Sequence, residues 1–397
     1  MPLGELSGRG FDSRHLHLKW AAPSNRRGGC FLVSVWFDEK LMEPGSQTAS
    51  HNLLLPRIWS ILRGEEFVRL HSKRVGKMST RRPRVVFLGT PEFSVPSLEA
   101  LAKTGQYEIV CVITQPDRPA GRGRKPRPSP VRQAAERLGL PVWTPENLRS
   151  PEAVERLRQL APDVGVVVAY GEILRPNVLA IPPRGFVNVH ASLLPKYRGA
   201  SPVQAAILAG DRETGVTIML MDAGMDTGPI LAQRRIPIAE DETGASLAEK
   251  LARLGAELLV ETLPRWLAGE IEPQPQDDAQ ASKTWRLKKE DGRVDWTRPA
   301  EFLARQVRAY TPWPGTFTTW DGKLLKIRRA HAVQRPLEGA QPGEVRSLPE
   351  GLAVATGDGW LVLDEVQLEG RKTVSGEAFL RGHPQIVGAR LGEKGER

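Results

Sequence analysis

Three polar residues in the middle of this chain, Asn188, His190 and Asp226, carry side chains that can do chemistry together. Asn188 and His190 stand two positions apart in FVNVH, whose alternation is typical of a strand, so both side chains should face the same side. Asp226 follows in the turn MDAGMDTG. An amide that donates to a developing oxyanion, an imidazole that moves a proton and a carboxylate that orients the imidazole together suit acyl transfer to an amine.

Each of these residues also has a structural interpretation when it is taken singly. Asn and Asp are common in turns, and a lone histidine is usually a satisfied core residue. His190 is, however, the one histidine between residues 78 and 330, and histidine is the side chain that ordinarily titrates near neutral pH. The combination within one long, distinctive stretch favours the catalytic interpretation.

The elements around these residues predict an α/β fold, a Rossmann-like doubly wound sheet. Buried strands are predicted at 84–88, 107–114, 164–169 and 186–190, and helices at 94–103, 131–138, 151–160 and 246–263, the last with a capping box of Ser246 and Glu249. Such sheets bind ligands beyond the carboxyl ends of their strands, where the loops 89–93, 170–174, 188–194 and 222–227 should lie. The first turn, LGTPEF, lacks the later glycines of G-x-G-x-x-G, which disfavours a dinucleotide.

A basic loop, DRPAGRGRKPRPSP at 117–130, interrupts a connection that normally needs about 2–6 residues. Its cations are Arg118, Arg122, Arg124, Lys125 and Arg127. Two glycines and four prolines predict that it has no regular structure. A solvated surface loop is the plain interpretation, and an arm that meets phosphates and orders on contact is the functional one.

The C-terminal part predicts a second domain. Residues 78–270 read as the catalytic domain, 271–282 as a polar, Pro-rich linker, and 283–397 as a small OB-like β-barrel with short strands at 315–319, 324–328, 343–346, 352–356 and 360–367. A helix is predicted at 301–309. Trp313 is interpreted as a core residue. Lys288 belongs to a set of cations expected to face phosphates.

Composition fits a protein without membrane spans: 40% of residues are hydrophobic, 26% are charged, and no run of about 18 apolar residues occurs. Two cysteines, Cys30 and Cys111, offer neither a disulfide framework nor metal-ligand spacing, which fits a reducing compartment. The net charge of +10 divides equally between residues 1–77 and 78–397, so local clusters predict a polyanionic partner better than the total does.

Residues 1–77 are expected to be an extension outside the fold. They show no sustained period, and seven acidic residues argue against a mitochondrial presequence. Met78 precedes STRRPRVVFLGTPEF, which reads as the first strand of a doubly wound domain. Our hypothesis is that translation starts at Met78.

Several long segments resemble a known family. The run NVHASLLPKYRGASPVQAAILAGDRETGVTIMLMDAGMDTGPIL at 188–231 is similar to the catalytic core of the formyltetrahydrofolate-dependent formyltransferases. The segments RVVFLGTPEFSVPSLEAL at 84–101, TQPDRPAGRGRKPRPSPV at 114–131, VDWTRPAEFLARQVRAYTPWPGTF at 294–317 and VATGDGWLVL at 354–363 resemble the members that formylate methionyl-tRNA. The resemblance covers about residues 80–397.

The resemblance implies transfer of a formyl group from 10-formyltetrahydrofolate to the α-amine of methionyl-initiator tRNA, in a cytoplasmic monomer without metal or membrane. Asn188, His190 and Asp226 would be catalytic. The basic loop would contact the acceptor arm, with Arg122 at the position on which recognition depends and Lys288 adding a phosphate contact. The implied donor-binding residues are Phe87, Gly89, Tyr170, Gly171, Ile173, Leu174, Ser192, Leu193, Leu194, Pro195, Asp222 and Gly224.

Three alternatives stay open at this stage. A formyltransferase acting on a small amine, such as a glycinamide ribonucleotide or an amino-sugar nucleotide, would share the three catalytic residues without needing both the basic loop and the barrel. A hydrolase of formyl-folate could use the same residues. An RNA-binding protein with a vestigial catalytic fold would have no turnover.

Overall fold

The computed structural model describes residues 81–120 and 125–392, together with two short strands nearer the start of the chain. These strands, β1 (Leu18–Trp20) and β2 (Val33–Val35), pair antiparallel. The chain divides into two compact units, Met1–Phe67 and Val68–Arg397, and the second contains everything described below. The expectation that residues 1–77 are an extension falls, apart from those two strands, outside the described residues.

A seven-stranded sheet forms the centre of the first domain. The elements in chain order are β3 (Arg84–Gly89), α1 (Val95–Thr104), β4 (Glu108–Ile113), β5 (Arg118–Ala120), β6 (Lys125–Arg127), α2 (Pro130–Arg137), β7 (Val142–Trp143), α3 (Pro151–Gln159), β8 (Val164–Val168), α4 (Pro176–Leu179), β9 (Phe186–His190), β10 (Arg198–Gly199), α5 (Pro202–Ala209), β11 (Glu213–Leu220), β12 (Ile230–Pro237), α6 (Gly244–Ala268) and β13 (Lys283–Thr284). The sheet order is β12-β11-β9-β8-β3-β4-β7, and β11 runs antiparallel to both of its neighbours. The predicted doubly wound α/β fold is confirmed.

Neighbouring residues of the parallel strands face opposite layers of helices. In β3, Val85 and Phe87 pack into the core beneath α1, α2 and α6, whereas Val86 and Leu88 pack into the core beneath α3 and α4. All four side chains are fully buried. Because both faces are covered, the strand is a continuous apolar run and not an alternating one.

The sheet reverses its winding between β3 and β8. From β3 the chain continues outward to β4 and β7, and it then returns to β8 on the other side. Thr90 Oγ1 donates to the Tyr170 carbonyl (3.0 Å) and Ser94 Oγ donates to the Val168 carbonyl (2.6 Å), so the two strand ends are tied together. Doubly wound sheets bind their ligands at such a reversal, and the end of β9 lies on the same edge.

Helix α6 begins two residues before its predicted start, and its predicted cap was wrong. The capping box joins Thr243 and Ser246: Thr243 Oγ1 accepts from the Ser246 amide (3.1 Å), and Ser246 Oγ accepts from the Thr243 amide (3.0 Å). The leucine period fixes which face of a helix is buried, but it does not fix the first turn, where Thr and Ser can both cap.

An antiparallel sheet with its own apolar core forms the C-terminal domain. Its elements are α7 (Ala300–Ala309), β14 (Thr316–Trp320), β15 (Lys323–Val333), β16 (Val345–Leu348), β17 (Gly351–Ala355), β18 (Trp360–Leu368), β19 (Val374–Ser375) and α8 (Gly376–Gly382). The order is β14-β15-β18-β17-β16, with β19 beside β18. Segment 388–392 bonds to Gly343 and Val345 at the β16 side and to Thr319 of β14, so it bridges the two outer strands of the sheet.

The two domains meet through helix α7. Arg305 Nε donates to the Leu208 carbonyl (3.1 Å), and Arg308 Nη1 donates to the Glu242 carbonyl (2.9 Å). Gly244 approaches Ala309 so closely that a Cβ there would lie 2.3 Å from the Ala309 carbonyl oxygen. Close backbone contact of this kind makes the junction specific.

Trp313, interpreted from the sequence as a core residue, is 54% exposed, so that interpretation was wrong. It lies in the turn after α7, where no strand or helix carries the side chain inward. Among the described residues, no helix combines the length and apolar content that are needed to cross a bilayer.

Candidate active site

Strand β9 places Asn188 and His190 at the ligand-binding edge of the sheet. The strand pairs with β8 on one side and β11 on the other, with Asn188 opposite Met219 and His190 opposite Thr217. Asn188 is 8% exposed and His190 is 6% exposed. The two side chains therefore sit on a hydrogen-bonded scaffold and are almost wholly buried.

Asp226 comes to them from the loop between β11 and β12. Asn188 Nδ2 donates to Asp226 Oδ1 at 3.4 Å, and His190 Nδ1 lies 3.6 Å from Asp226 Oδ2. The Gly199 amide donates to the same Oδ2 at 2.8 Å. The structure thus brings the three residues together. The Asn188 amide has two hydrogens, and this contact uses one of them. The second can be donated to a ligand.

The loop that carries Asp226 is held in an unusual backbone conformation. Asp226 has a φ of 55°, in the left-handed region, which Asp tolerates better than most residues. Asp222 turns the loop by accepting from the Gly224 amide (3.0 Å) and from Thr227 Oγ1 (2.7 Å). A Cβ on Gly224 would lie 2.0 Å from Thr227 Oγ1, so the turn needs glycine there.

The imidazole of His190 is oriented by a backbone carbonyl. Its Nε2 lies 3.0 Å from the Tyr197 oxygen, which can only accept, so Nε2 carries the hydrogen. Nδ1 is then the nitrogen that faces Asp226 and that can take up a proton. At 3.6 Å the Asp226 carboxylate is beyond hydrogen-bond distance of Nδ1, so it acts on the ring by its charge.

The strap, which we define as residues 274–284, holds the Asp226 loop from outside. Gln276 Nε2 donates to the carbonyls of Asp226 (2.8 Å) and Gly228 (2.7 Å). Arg198, only 5% exposed, donates to Gln276 Oε1 (3.0 Å) and to Asp278 Oδ1 (2.8 Å). The segment read from the sequence as a linker, 271–282, thus overlaps a chain of contacts to the centre. A polar, Pro-rich composition gave no sign of them.

Strand β13 of the strap runs parallel to β10, with Gly199 opposite Thr284. A Cβ on Gly199 would lie 2.4 Å from the Thr284 carbonyl oxygen, and the φ of Gly199 is 115°. Glycine is therefore required at this close approach. The Gly199 amide also donates to Asp226, so Gly199 contacts both the strap and the carboxylate.

A cavity of about 180 Å³ opens beside Asp226. Its walls include four of the predicted donor-binding residues, Ile173, Leu174, Asp222 and Gly224, and its lining is completed by Glu172, Met219, Met221, Ala223 and Met225. Ile173 is 65% exposed and Met225 is 59% exposed. Exposed apolar side chains around a polar centre are typical of a ligand-binding site, and the sequence did not single out Met225, although it stands in the loop that carries Asp226.

The other predicted donor-binding residues lie elsewhere. Leu193, Leu194 and Pro195 line a second cavity of about 350 Å³ with Lys196, Tyr197, Asp211, Thr214 and Arg235. Phe87 is fully buried in the core, Ser192 is fully buried, and Tyr170 is 2% exposed. Gly89 and Gly171 stand at the ends of β3 and β8, where Gly171 has a φ of 88° and lies near Gln115.

Two phenols beside the centre stay protonated at neutral pH. The Tyr170 pKa is raised by burial and further by the charge of Glu172. The Tyr197 pKa is raised by burial and by its hydrogen bond to Asp211, to which its hydroxyl donates at 2.7 Å. Neither phenol is therefore available as a base at neutral pH.

The basic loop is partly regular, contrary to the prediction. Its two ends form a hairpin of β5 and β6, in which Pro119 pairs with Pro126. Proline is tolerated in such an isolated pair because no further strand needs its missing amide hydrogen. Arg122 and Arg124, and the side chains of Arg118 and Lys125, fall outside the described residues.

At the base of the hairpin lie three described arginines, two of which pair with carboxylates: Arg132 with Asp117 and Glu136, and Arg137 with Glu99. Arg132 Nη1 contacts both Asp117 oxygens at 3.0 and 3.1 Å, which anchors the loop to α2. Arg127 is exposed and, with Arg137, lines a cavity of about 590 Å³. Lys288 is exposed on the domain junction. In the described part of the chain, no three His, Cys, Asp or Glu side chains are grouped as a metal site.

Comparison with known proteins agrees with this architecture. The Formyl transferase family model matches residues 83–263, and the Formyl transferase, C-terminal domain, model matches residues 286–384. The N-formyltransferase of Helicobacter canadensis, solved with folinic acid and dTDP-3-aminofucose, matches with a TM-score of 0.54 at 20% identity, over 74% of this chain and 100% of that one. That likeness concerns the fold.

The sequence relatives are much closer. The methionyl-tRNA formyltransferase of Roseiflexus castenholzii is 55% identical over 78% of this chain and 99% of its own length. That of Myxococcus xanthus is 51% identical over 78% of this chain and 97% of its own length, and that of Geobacter sulfurreducens is 48% identical over 79% and 98%. The chain therefore belongs to the formyltransferase family, within the branch of the methionyl-tRNA formyltransferases.

Proposed function

We propose that this chain transfers a formyl group from 10-formyltetrahydrofolate to the α-amine of methionyl-initiator tRNA, giving formylmethionyl-tRNA for translation initiation. The observation that carries the proposal is the convergence of Asn188, His190 and Asp226 at the ligand-binding edge of the sheet. The identity to the methionyl-tRNA formyltransferases over both domains supports the choice of acceptor.

The cavity beside Asp226 fits a flat heteroaromatic donor. Ile173 and Leu174 supply apolar contact on one side, and three methionines supply adaptable contact on the others. Backbone groups of the loops 172–174 and 222–226 can read the polar edge of a pterin ring. The second cavity, at Leu193–Pro195, is a place where the rest of a folate could extend.

Asn188 is assigned the role of oxyanion donor. As the amine attacks the formyl carbon, the formyl oxygen gains negative charge, and the second Nδ2 hydrogen of Asn188 can donate to it. This donor is preorganised because β9 and the contact to Asp226 hold the amide in place. The amine itself is competent, since an α-amino group has a pKa of roughly 7.7–8 and a useful fraction is neutral near pH 7.

His190 is assigned the proton transfer. Its Nδ1 takes the proton that the amine loses as the new C–N bond forms, and the charge of Asp226 stabilises the resulting imidazolium. The bond between the formyl carbon and N10 of the folate breaks, and the proton is returned to N10. One proton leaves the amine and one arrives at the leaving nitrogen, so the step is balanced.

The acceptor is assigned to the cationic face around the centre. Arg127 and Arg137 flank the cavity at the base of the basic loop, and Lys288 lies at the domain junction. Phosphate contacts of this type position RNA and weaken with salt. Arg122, whose side chain lies outside the described residues, remains the predicted determinant of acceptor-arm recognition.

The test is formyl transfer by the purified full-length chain, with 10-formyltetrahydrofolate as donor and three acceptors in parallel: methionyl-initiator tRNA, methionyl-elongator tRNA and glycinamide ribonucleotide. We expect turnover on the initiator tRNA and little on the other two. Transfer only to the small amine would replace the proposed acceptor. Release of formate with no acceptor preference would favour the hydrolase, and no turnover at all would favour an RNA-binding role.

A further inference from the structure

An apolar cleft of about 270 Å³ lies at the junction of the two domains. Helix α5 contributes Ala205, Leu208 and Ala209, and the C-terminal side contributes Leu287, Phe302 and Tyr310. The rest of the lining is Tyr197, Ser201, Gln204, Lys283, Thr284 and Trp285. A cleft with this lining favours a flat apolar group over a charged one.

Trp285 stands in this cleft with 67% of its surface exposed. Among the residues that the structure describes, it is the most exposed of the large apolar side chains. An indole face left in water beside an apolar cleft is a stacking surface without a partner.

The cleft adjoins the catalytic centre through two short links. Trp285 follows directly on β13, whose Thr284 pairs with Gly199, and the Gly199 amide donates to Asp226. From strand spacing and rise, the Trp285 and Gly199 Cα atoms are roughly 6 Å apart. Tyr197, which lines the cleft, also holds His190 through its carbonyl.

Positive charge flanks Trp285 along the chain. The segment KTWRLKK at 283–289 holds four cations and no acid, and Lys283, Arg286 and Lys288 are all exposed. An aromatic face interleaved with cations is the surface that single-stranded nucleic acid uses, with bases stacked on the ring and phosphates on the cations. A protein or lipid partner would need a larger apolar surface than this cleft offers.

We propose that the Trp285 cleft is a subsite for an unstacked base of the single-stranded 3′ end of the acceptor tRNA. The proposal rests on the proposed function, because the reacting amine is attached through methionine to the terminal nucleotide. A base stacked on Trp285 lies next to the elements that hold Asp226 and His190, so it positions the methionyl ester at the centre.

The first test compares Trp285→Ala and Trp285→Phe with Trp313→Ala, a matched exposed tryptophan that does not line the cleft. Loss of one base–aromatic stack costs about 1–3 kcal/mol, so Trp285→Ala should raise the KM for methionyl-tRNA about 5- to 150-fold. Trp285→Phe should recover most of the loss. Trp313→Ala should leave the KM for methionyl-tRNA unchanged, and the KM for the folate donor should stay the same in all three variants. Thermal unfolding of each variant reports whether the fold is intact.

The second test measures binding of an acceptor minihelix with and without its single-stranded 3′ end. Trp285→Ala should weaken binding of the first and leave the second unchanged. An unchanged KM for tRNA in Trp285→Ala, or equal weakening with both minihelices, would overturn the subsite while wild-type turnover still supported the proposed function. If the wild-type chain fails to formylate methionyl-tRNA, the proposed function fails first, and that result is independent of the variant.

Discussion

The two halves of the catalytic centre are held in different ways. Asn188 and His190 stand on β9, which is hydrogen-bonded to a strand on each side and buried along its length. Asp226 stands on a loop in the left-handed region, where the Gly199 amide and the Gln276 side chain hold it. One half is fixed by a regular ladder, and the other by a few single contacts from distant parts of the chain.

This difference predicts which half of the centre is more sensitive to substitutions elsewhere in the chain. A ladder distributes its hydrogen bonds over many residues, so a remote substitution hardly moves Asn188 or His190. The loop depends on individual donors, and a shift of about 1 Å at a catalytic group can cost about 100-fold in rate. Substitutions outside the centre should therefore lower kcat mainly by displacing Asp226.

The largest expected effect on kcat comes from a substitution in the half of the centre that β9 carries. Asn188→Ala removes the oxyanion donor, which typically costs about 2.7–4 kcal/mol, so kcat should fall about 100- to 1,000-fold with the KM for tRNA unchanged. Steady-state formyl transfer measures both. Asn177→Ala, at an exposed position of helix α4, is the control. Near-wild-type kcat in Asn188→Ala would remove the assigned role.

Asp226 gives a sharper comparison because two substitutions separate charge from position. Asp226→Asn keeps an acceptor for the Gly199 amide but loses the charge, and Asp226→Glu keeps the charge but is longer by one methylene. We expect kcat to fall about 100-fold in both, as for loss of acid–base assistance. If Asp226→Glu retains wild-type turnover, the loop adapts, and the contrast between the two halves is wrong.

A substitution of Gln276 tests whether the strap influences kcat by holding the Asp226 loop in place. Gln276→Ala removes both hydrogen bonds to the Asp226 loop, each worth about 0.5–1.5 kcal/mol, so kcat should fall about tenfold while the KM for tRNA is kept. Gln274→Ala is the matched control, since its exposed side-chain amide donates to the Glu272 carbonyl and not to the Asp226 loop in the described residues. Equal effects of the two substitutions would show that the strap contributes to stability alone.

Glu242 is a carboxylate for which no change in turnover is expected. It is 2% exposed and accepts from Lys250 Nζ (2.6 Å) and Ser246 Oγ (2.5 Å). Burial alone would raise its pKa, but these hydrogen bonds outweigh burial and the pKa is lowered. Glu242→Gln should reduce the free energy of unfolding by about 1–3 kcal/mol at pH 7 and leave kcat unchanged.

The pH dependence of this effect follows from the direction of the shift. Because the folded-state pKa is lowered, the ionised carboxylate favours folding above the unfolded-state pKa of about 4.3, and that contribution is lost as the pH falls through the folded value. Urea unfolding at several pH values should show the difference between wild type and Glu242→Gln shrinking below about pH 4. A difference that stays constant down to pH 3 would contradict the assignment.

The regular elements were predictable to within a few residues where they bury apolar faces. Strands β3, β8 and β9 and helices α2 and α3 lie where continuous or periodic apolar residues predicted them. The antiparallel strands β11 and β12 were not predicted, because the sequence between residues 213 and 237 was interpreted for its candidate catalytic residue and not for its alternation, in which Gln233 and Arg235 are exposed. The basic loop was expected to lack regular structure, and pairing between its two ends, which no local pattern shows, made a hairpin of it.

The sequence by itself indicated the three groups that we propose to be catalytic, the family, and the fact that Asn188 and His190 share a face, because a strand's period of two is a local property. Only the tertiary structure decided that the Tyr197 carbonyl orients His190, that Gln276 and Gly199 hold Asp226, and that Trp285 is exposed beside them. These contacts join residues up to 50 positions apart in the chain. Hydrogen bonds between such distant positions form only once the chain is folded, so no local pattern encodes them.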